Sequence, residues 1–139
     1  MEKIVKIDGQ DVGFRATALT PRLYRHKMGR DIVQDMNKLR TAYDKAVRSL
    51  MLPKPGSDAS DEDRAAYQEA VTAAQLSVTD LEIFENVAYV MARQYDAGIP
   101  DAAEAWLDGF STFSIYEVLP AILELWNLNN MTTAATKKK

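Results

Sequence analysis

His26 is the only histidine of the chain, and it sits in "RLYRHKMGR" among Arg22, Arg25, Lys27 and Arg30. Acid–base or nucleophilic chemistry built on an imidazole needs a carboxylate or a nucleophile within hydrogen-bond reach. Asp31 is the only local candidate. Cysteine is absent, so no thiolate nucleophile, disulfide or Cys-based zinc site can form. Carboxylates are then the remaining means of holding a metal. "SDASDED", residues 57–63, offers four of them. It lacks the Gly and the closing Glu that a calcium loop needs at fixed offsets, and acidic residues at a helix start explain it better. "GFRATALT" has no second Gly and no GK[ST], so it is not a phosphate loop, and no G-x-S-x-G is present. These residue types point away from an enzyme. No catalytic, cofactor-binding or metal-binding residue is expected.

Two patterns suited to binding remain. The first is charge. Residues 1–54 carry 12 Lys/Arg against 6 Asp/Glu, whereas residues 55–136 carry 2 against 14, and the last three residues are lysines. A basic half of net +6 is thus joined to an acidic half of net −12. Such asymmetry concerns partners rather than fold. Segment 22–30, with Lys38, Arg40, Lys45 and Arg48, suits either an ordinary solvated helix face or, with its turn at Gly29, a helix-turn-helix on DNA. The acidic half on the same small body would repel phosphate, so no nucleic-acid partner is expected. On a neighbouring copy the acidic half would attract the basic segment, and head-to-tail contact of that kind closes into rings or runs on as a helix. Pairing of the two halves within one chain is the competing outcome.

The second pattern is apolar. "WLDGFSTFSIYEVLPAILELW", residues 106–126, holds both tryptophans. Leu107, Ile115, Leu119, Ile122 and Trp126 fit a core. Trp106, Phe110 and Phe113 surround a helix end and turn, where an aromatic is either core or a partly exposed anchor for a partner. Candidate partner-binding residues are accordingly Arg22, Arg25, Lys27, Arg30, Trp106, Phe110 and Phe113.

The elements that must position these residues read as α+β, mostly α: an N-terminal hairpin and about five to six helices in one domain, 1–128. With 139 residues the chain has room for one real core. Over 4–17, Val5 and Ile7 alternate with polar residues, "DGQD" turns, and Val12, Phe14 and Ala16 alternate again. A lone hairpin is marginal in water, so this one must lie on helices or pair further. Thr20 and Pro21 open a helix over 21–28 that Gly29 stops. Asp31 caps a helix to about Leu50, with apolar Ile32, Met36, Leu39, Tyr43, Ala46 and Leu50 at alternating spacings of four and three. These basic helices fill 20–50. Residues 52–60 form a Pro/Gly/Ser linker loop, and the acidic helical half is 61–128. Its first helix runs to about Leu76 with the shallow stripe Tyr67, Val71, Ala74 and Val78. Pairs Thr79/Glu82, Asp101/Glu104 and Ser114/Glu117 have capping-box spacing and predict the next three helix starts. The expected inward residues are Leu81, Phe84, Ala88, Met91 and Tyr95 in the first, then Ile115, Leu119, Ile122 and Trp126 in the last, where Pro120 bends the helix. The tail, 129–139, lacks an apolar period and is expected to be disordered.

"MEKIVKIDGQ" has no signal-peptide core, and the longest uncharged apolar run, "VLPAIL", is far short of a membrane span. Neither a membrane nor an oxidising compartment is expected. The lack of cysteine suits the cytoplasm.

"TPRLYRHKMGRDIVQDMNKL", "LEIFENVAYVMARQYDAGIPDAAEAWLDGF", "FSIYEVLPAILELWNLN" and the closing "TTAATKKK" together resemble the tail assembly chaperones of long-tailed phages and prophages of Gram-positive bacteria. The resemblance covers almost the whole chain and is weakest over 52–78. It implies a non-enzymatic protein of the host cytoplasm, absent from the mature virion. Such a protein keeps the long tape-measure protein soluble and helps recruit tail tube subunits. It also implies a meaning for the final lysines, since in related phages the chaperone gene ends at a slippery site where some ribosomes shift frame. A small DNA-binding regulator on the 21–50 helices and a structural head–tail component of the virion are the alternatives.

Overall fold

A computed structural model describes the backbone of residues 1–73 and 76–137, and the side chains of 1–71 and 76–127. Two strands, β1 (Glu2–Ile7) and β2 (Gln10–Arg15), form an antiparallel hairpin with Val5 opposite Val12 and Ile7 opposite Gln10. The turn is tighter than "DGQD". Asp8 and Gly9 alone make it, with φ of 53° and 77°. Positive φ at both central residues matches the right-handed twist of the flanking strands, and Asp-Gly tolerates it at low cost. The alternation reads as expected: Ile7, Val12, Phe14 and Ala16 are buried, and Ile4 on the opposite face is exposed. The hairpin rests on helices, β2 on α4 (Val78–Tyr95) and β1 on α6 (Ile115–Lys137). Gly13 permits that seating. A Cβ built there would stand 2.2 Å from the Tyr95 ring.

The hairpin is followed by α1 (Thr20–Met28) and α2 (Ile32–Leu50). Gly29, at φ 68°, ends α1 with its N–H on the Arg25 carbonyl, and the Asp31 side chain accepts from the Val33 N–H to start α2. Thr20 differs from its expected role. It is the first residue of α1 rather than a side-chain cap. Its Oγ1 accepts from the Thr17 N–H at 2.9 Å and donates to Gln94 Oε1 at 2.6 Å. The hydroxyl thus joins α1 to α4.

After the loop come α3 (Asp61–Ala73), α4, α5 (Ala103–Leu107) and α6, making six helices among the described residues. The expected end of α3 and Ala74 of its stripe fall at the edge of or outside the described residues, and Val78 belongs to α4. Two of the three capping pairs are displaced. The box at the start of α4 is Ser77 with Asp80, not Thr79 with Glu82. Both pairs fit the spacing. Ser77 is the one with extended backbone, which an N-cap requires. Asp101 caps nothing. The N-cap of α5 is Ala102, without a side-chain bond, because the Asp101 carboxylate is taken by Lys27 and Arg93. At α6 the Ser114 carbonyl accepts from the Glu117 and Val118 N–H groups.

Helix α4 is the axle of the fold. It packs against β2, α1, α2, α5 and α6, and Ile83, Phe84, Val87, Ala88, Tyr89, Val90, Met91 and Ala92 are all buried. Its expected seam held only part of this, and the seam's ends, Leu81 and Tyr95, are exposed. In α2 the seam is buried from Ile32 to Ala46, with Tyr43 half-buried, and ends at an exposed Leu50. Ile115, Leu119, Ile122 and Trp126 of α6 face inward as expected. The backbone of α6 runs on as helix to Lys137, past residue 129 where a disordered tail was expected. After Pro120 no Gly or Pro interrupts it, and Met131, Ala134 and Ala135 are good helix formers. Lys138 and Lys139 lie outside the described residues.

Candidate functional site

The basic corner between α1 and α2 is partly an internal fastener. Arg30 clamps the buried Asp35 carboxylate with two bonds, Nε to Oδ2 at 2.7 Å and Nη2 to Oδ1 at 2.8 Å. The buried Tyr24 hydroxyl donates to Oδ2 at 2.8 Å. The fork geometry of guanidinium on carboxylate makes this a strong charge-assisted pair. The Arg30 guanidinium holds the Asp35 carboxyl below the usual carboxylate range, overcoming the opposing effect of burial, and Tyr24 adds to it. Burial is the main reason that the Tyr24 phenol is pushed up, with Asp35 second. Arg30, a candidate for partner binding, is therefore committed within its own chain.

Lys27 is also engaged. Its Nζ lies 2.5 Å from Asp101 Oδ1 and 2.8 Å from the Asp101 carbonyl, and 5.8 Å from the centre of the Tyr89 ring. Arg93 Nη1 approaches the same carboxylate at 3.4 Å and donates to the Ile99 carbonyl at 3.0 Å. The Lys27 ammonium is the chief reason that the Asp101 carboxyl lies below the usual range. With Lys3 on Glu124 at 2.5 Å, the basic and acidic halves pair at two places among the described residues. Arg22 and Arg25 are exposed and make no ion pair among the described residues. His26 is exposed too. Its local carboxylate, Asp31, is occupied with the Val33 N–H.

Lys27 and Arg93 stand on the rim of a groove of about 310 Å³ between α1 and α4. Leu23, Tyr89 and Val90 form its apolar lining, and His26 joins the rim. Gln94 closes one end. Its amide Nε2 donates to Thr17 Oγ1 at 2.6 Å while its Oε1 accepts from Thr20. On the other side of the 96–102 loop is a second groove of about 370 Å³, bounded by β2, α4 and α5. Tyr95, Ile99, Trp106 and Phe110 line it, with Asp11 and Asp96 at its edge.

Trp106 is not an exposed anchor. It is 6% exposed and sits between Tyr89, Phe110 and Phe113, at ring separations of 5.9, 5.3 and 5.3 Å. Phe113 continues the cluster to Phe84 at 5.2 Å. Edge-on and tilted aromatic pairs of this kind add about 0.5–1.5 kcal/mol each to the value of burial. The cluster fastens the short helix α5 to α4. Phe110 and Phe113 are half-buried and form its outer edge.

Helix α3 is the opposite case. Of residues 61–71 only Tyr67 and Val71 are half-buried, and the rest are exposed. Exposed apolar residues flank it on both sides. Leu50 and Met51 are 70% and 78% exposed before it, and Val78 is 81% exposed after it.

Sequence reasoning missed Asp35, Asp101, Thr17 and Gln94. Asp101 had been read only as a helix cap, and the other three stand at no motif spacing. The only signal was chemical: a carboxylate such as Asp35, on the apolar side of a helix among cations, needs a partner. Among the described residues no three His, Asp or Glu side chains gather to hold a metal, and no helix is long and apolar enough to cross a membrane. No protein-family model matches the chain, and neither a curated protein nor a solved structure shows significant similarity to it.

Proposed function

We propose that this chain is a non-catalytic assembly chaperone of a long-tailed phage or prophage. It binds the tape-measure protein in the host cytoplasm, keeps it soluble, helps recruit tail tube subunits and is absent from the mature virion. The sequence resemblance described above suggests this role. The observation that carries it in physical terms is α3, a helix outside the core and flanked by exposed Leu50, Met51 and Val78.

A tape-measure protein is expected to be long and helical with apolar stripes. Its helices need a partner that offers apolar surface in small, repeated and reversible amounts. A half-formed pair, an exposed helix with apolar residues at both ends, meets that need. Many weak contacts along one client gain strength from effective concentration, so no single contact has to be tight. Release then follows when tube subunits cover the client more favourably. Copies can assist one another along the client. Arg22 and Arg25 are the exposed cations left on α1, and Asp58, Asp61, Glu62 and Asp63 are exposed at the start of α3. A head-to-tail contact of these two surfaces is the self-association this reading favours.

The DNA-binding alternative is weakened by chemistry. Two of its eight cations, Lys27 and Arg30, already pair with carboxylates of the same chain, and the acidic half of net −12 on the same body repels phosphate.

Co-expression with the candidate tape-measure protein tests the role. The client is expected in the soluble fraction only when this chain is present. Replacing Leu50, Met51 and Val78 together by Ser should return it to the pellet. A client that is insoluble with the wild-type chain overturns the proposal.

A further inference from the structure

The groove between α1 and α4 has the makings of a carboxylate site, and one carboxylate already occupies its rim. Asp101 reaches back from the exposed 96–102 loop and lies 2.5 Å from Lys27 Nζ and 3.4 Å from Arg93 Nη1. Two cations thus share one acid whose side chain is 79% exposed. An exposed ion pair of this sort contributes little to stability, so a competing acid can displace it. The loop is tied to Lys27 by its backbone as well, through the Asp101 carbonyl at 2.8 Å. Its backbone is held separately by Tyr89 Oη donating to the Pro100 carbonyl at 2.6 Å, by Arg93 on the Ile99 carbonyl, and by the Gly98 N–H on Asp96 Oδ1 at 2.9 Å.

The site is also rigid where it needs to be. Gln94 bonds Thr17 and Thr20 at one end and so fixes α1 against α4. Arg93 is held in its rotamer by the Ile99 carbonyl. Leu23, half-buried, gives the lining its accessible apolar surface, with Tyr89 and Val90 buried behind it. A ligand that places a carboxylate between Lys27 and Arg93 can therefore lay a neighbouring apolar side chain on that lining without paying to open it. Inorganic anions use only the first half of this surface.

We infer that this groove is a docking site for an acidic peptide segment of a partner protein, one with a carboxylate side chain next to a large apolar residue, and that Asp101 acts as a displaceable internal competitor. The charges and the apolar lining argue for this occupant. The site stands whether or not the client of the chain is a tape-measure protein.

The probe is a fluorescein-labelled heptapeptide with two adjacent glutamates followed by leucine and phenylalanine, compared by anisotropy with its two-glutamine counterpart. The full chain should bind the glutamate peptide and not the glutamine one. Asp101→Asn removes the competitor and should tighten binding about two- to fivefold, the equivalent of one exposed ion pair. Lys27→Glu should abolish binding while circular dichroism stays that of the wild type. Amide shifts on titration should centre on Leu23, Val90 and Gln94. Equal binding of the two peptides, an unchanged or weaker affinity in Asp101→Asn, no binding in any variant, or competition by acetate or inorganic phosphate as effective as unlabelled peptide would each overturn the assignment.

Discussion

Ser60 and Ser77 each cap one of two successive helices with the side-chain oxygen, and Ser77 adds a bond from its own N–H to Asp80 Oδ2. Ser60 Oγ accepts from the Asp63 N–H at 3.1 Å, and Ser77 Oγ accepts from the Asp80 N–H at 3.0 Å. Beyond their first turns α3 and α4 part company. The sides of α4 carry Phe84, Val87, Tyr89, Val90 and Met91, and five other elements close around it. The sides of α3 carry alanine, glutamate and glutamine with one tyrosine, and α2 is the element it touches most. A good cap and good propensity start a helix, but burial decides what holds it. A 13-residue helix in water is marginal on propensity alone. Helix α4 is therefore the buried centre of the fold, and α3 a largely exposed helix at its edge.

The sharpest way to break this contrast is to truncate one aromatic in each helix. Phe84→Ala empties a site that is 1% exposed and stacked on Phe113. It should cost about 3–5 kcal/mol. Tyr67→Ala, on the half-buried face of α3, should cost under about 1 kcal/mol. Urea denaturation followed by circular dichroism measures both. Similar losses would mean that α3 is as much a part of the core as α4.

The contrast was only half legible in the sequence. The alternation of the hairpin, the stop at Gly29, the cap at Asp31 and the inward face of α6 are local, and each follows from spacing or from one residue's backbone preference. Helix α4 has apolar residues on more than one face, which a single seam cannot describe, because its burial depends on which elements surround it. Its start was ambiguous because "SVTDLE" contains two overlapping pairs of capping spacing. Asp101 had capping spacing and was drawn away by Lys27, a partner 74 residues distant. At the candidate site, sequence put Lys27 and Arg30 on the surface for partners, and both turned out to have acids of their own. Trp106 needed its neighbour Tyr89, from another helix, before it could be recognised as core.

Between these extremes stands the corner of α1 and α2, where a polar bond rather than apolar area does the fastening. Asp35→Asn leaves Tyr24 an acceptor but removes the charge that Arg30 grips. Because the Arg30 side chain is half-exposed and can turn to water, the loss should be modest, about 1–2 kcal/mol at pH 7. The folded-state acid is stronger than the unfolded one. Its contribution is therefore complete above the ordinary carboxylate range of about 4 and disappears as pH falls through the lower, folded-state value. Chemical denaturation of wild type and Asp35→Asn at a series of pH values should show a constant gap above about pH 5 that closes toward acid. A gap that widens toward acid would mean that the clamp does not hold a charged carboxylate.

The smallest effect tests α3 most directly. Native-state hydrogen exchange should release the amides of 65–71 far sooner than those of Val87–Met91, which lie in the buried part of α4 and open only with the whole molecule. Ala66→Gly lowers helix propensity at an exposed position by about 1 kcal/mol. If α3 opens by itself, that change speeds exchange within α3 about fivefold and leaves both the α4 amides and the thermal midpoint where they were. Should the substitution instead lower the midpoint and hasten exchange in both helices together, α3 would be coupled to the core. The exposed residues around it would then be a consequence of its shape rather than a surface waiting for a partner.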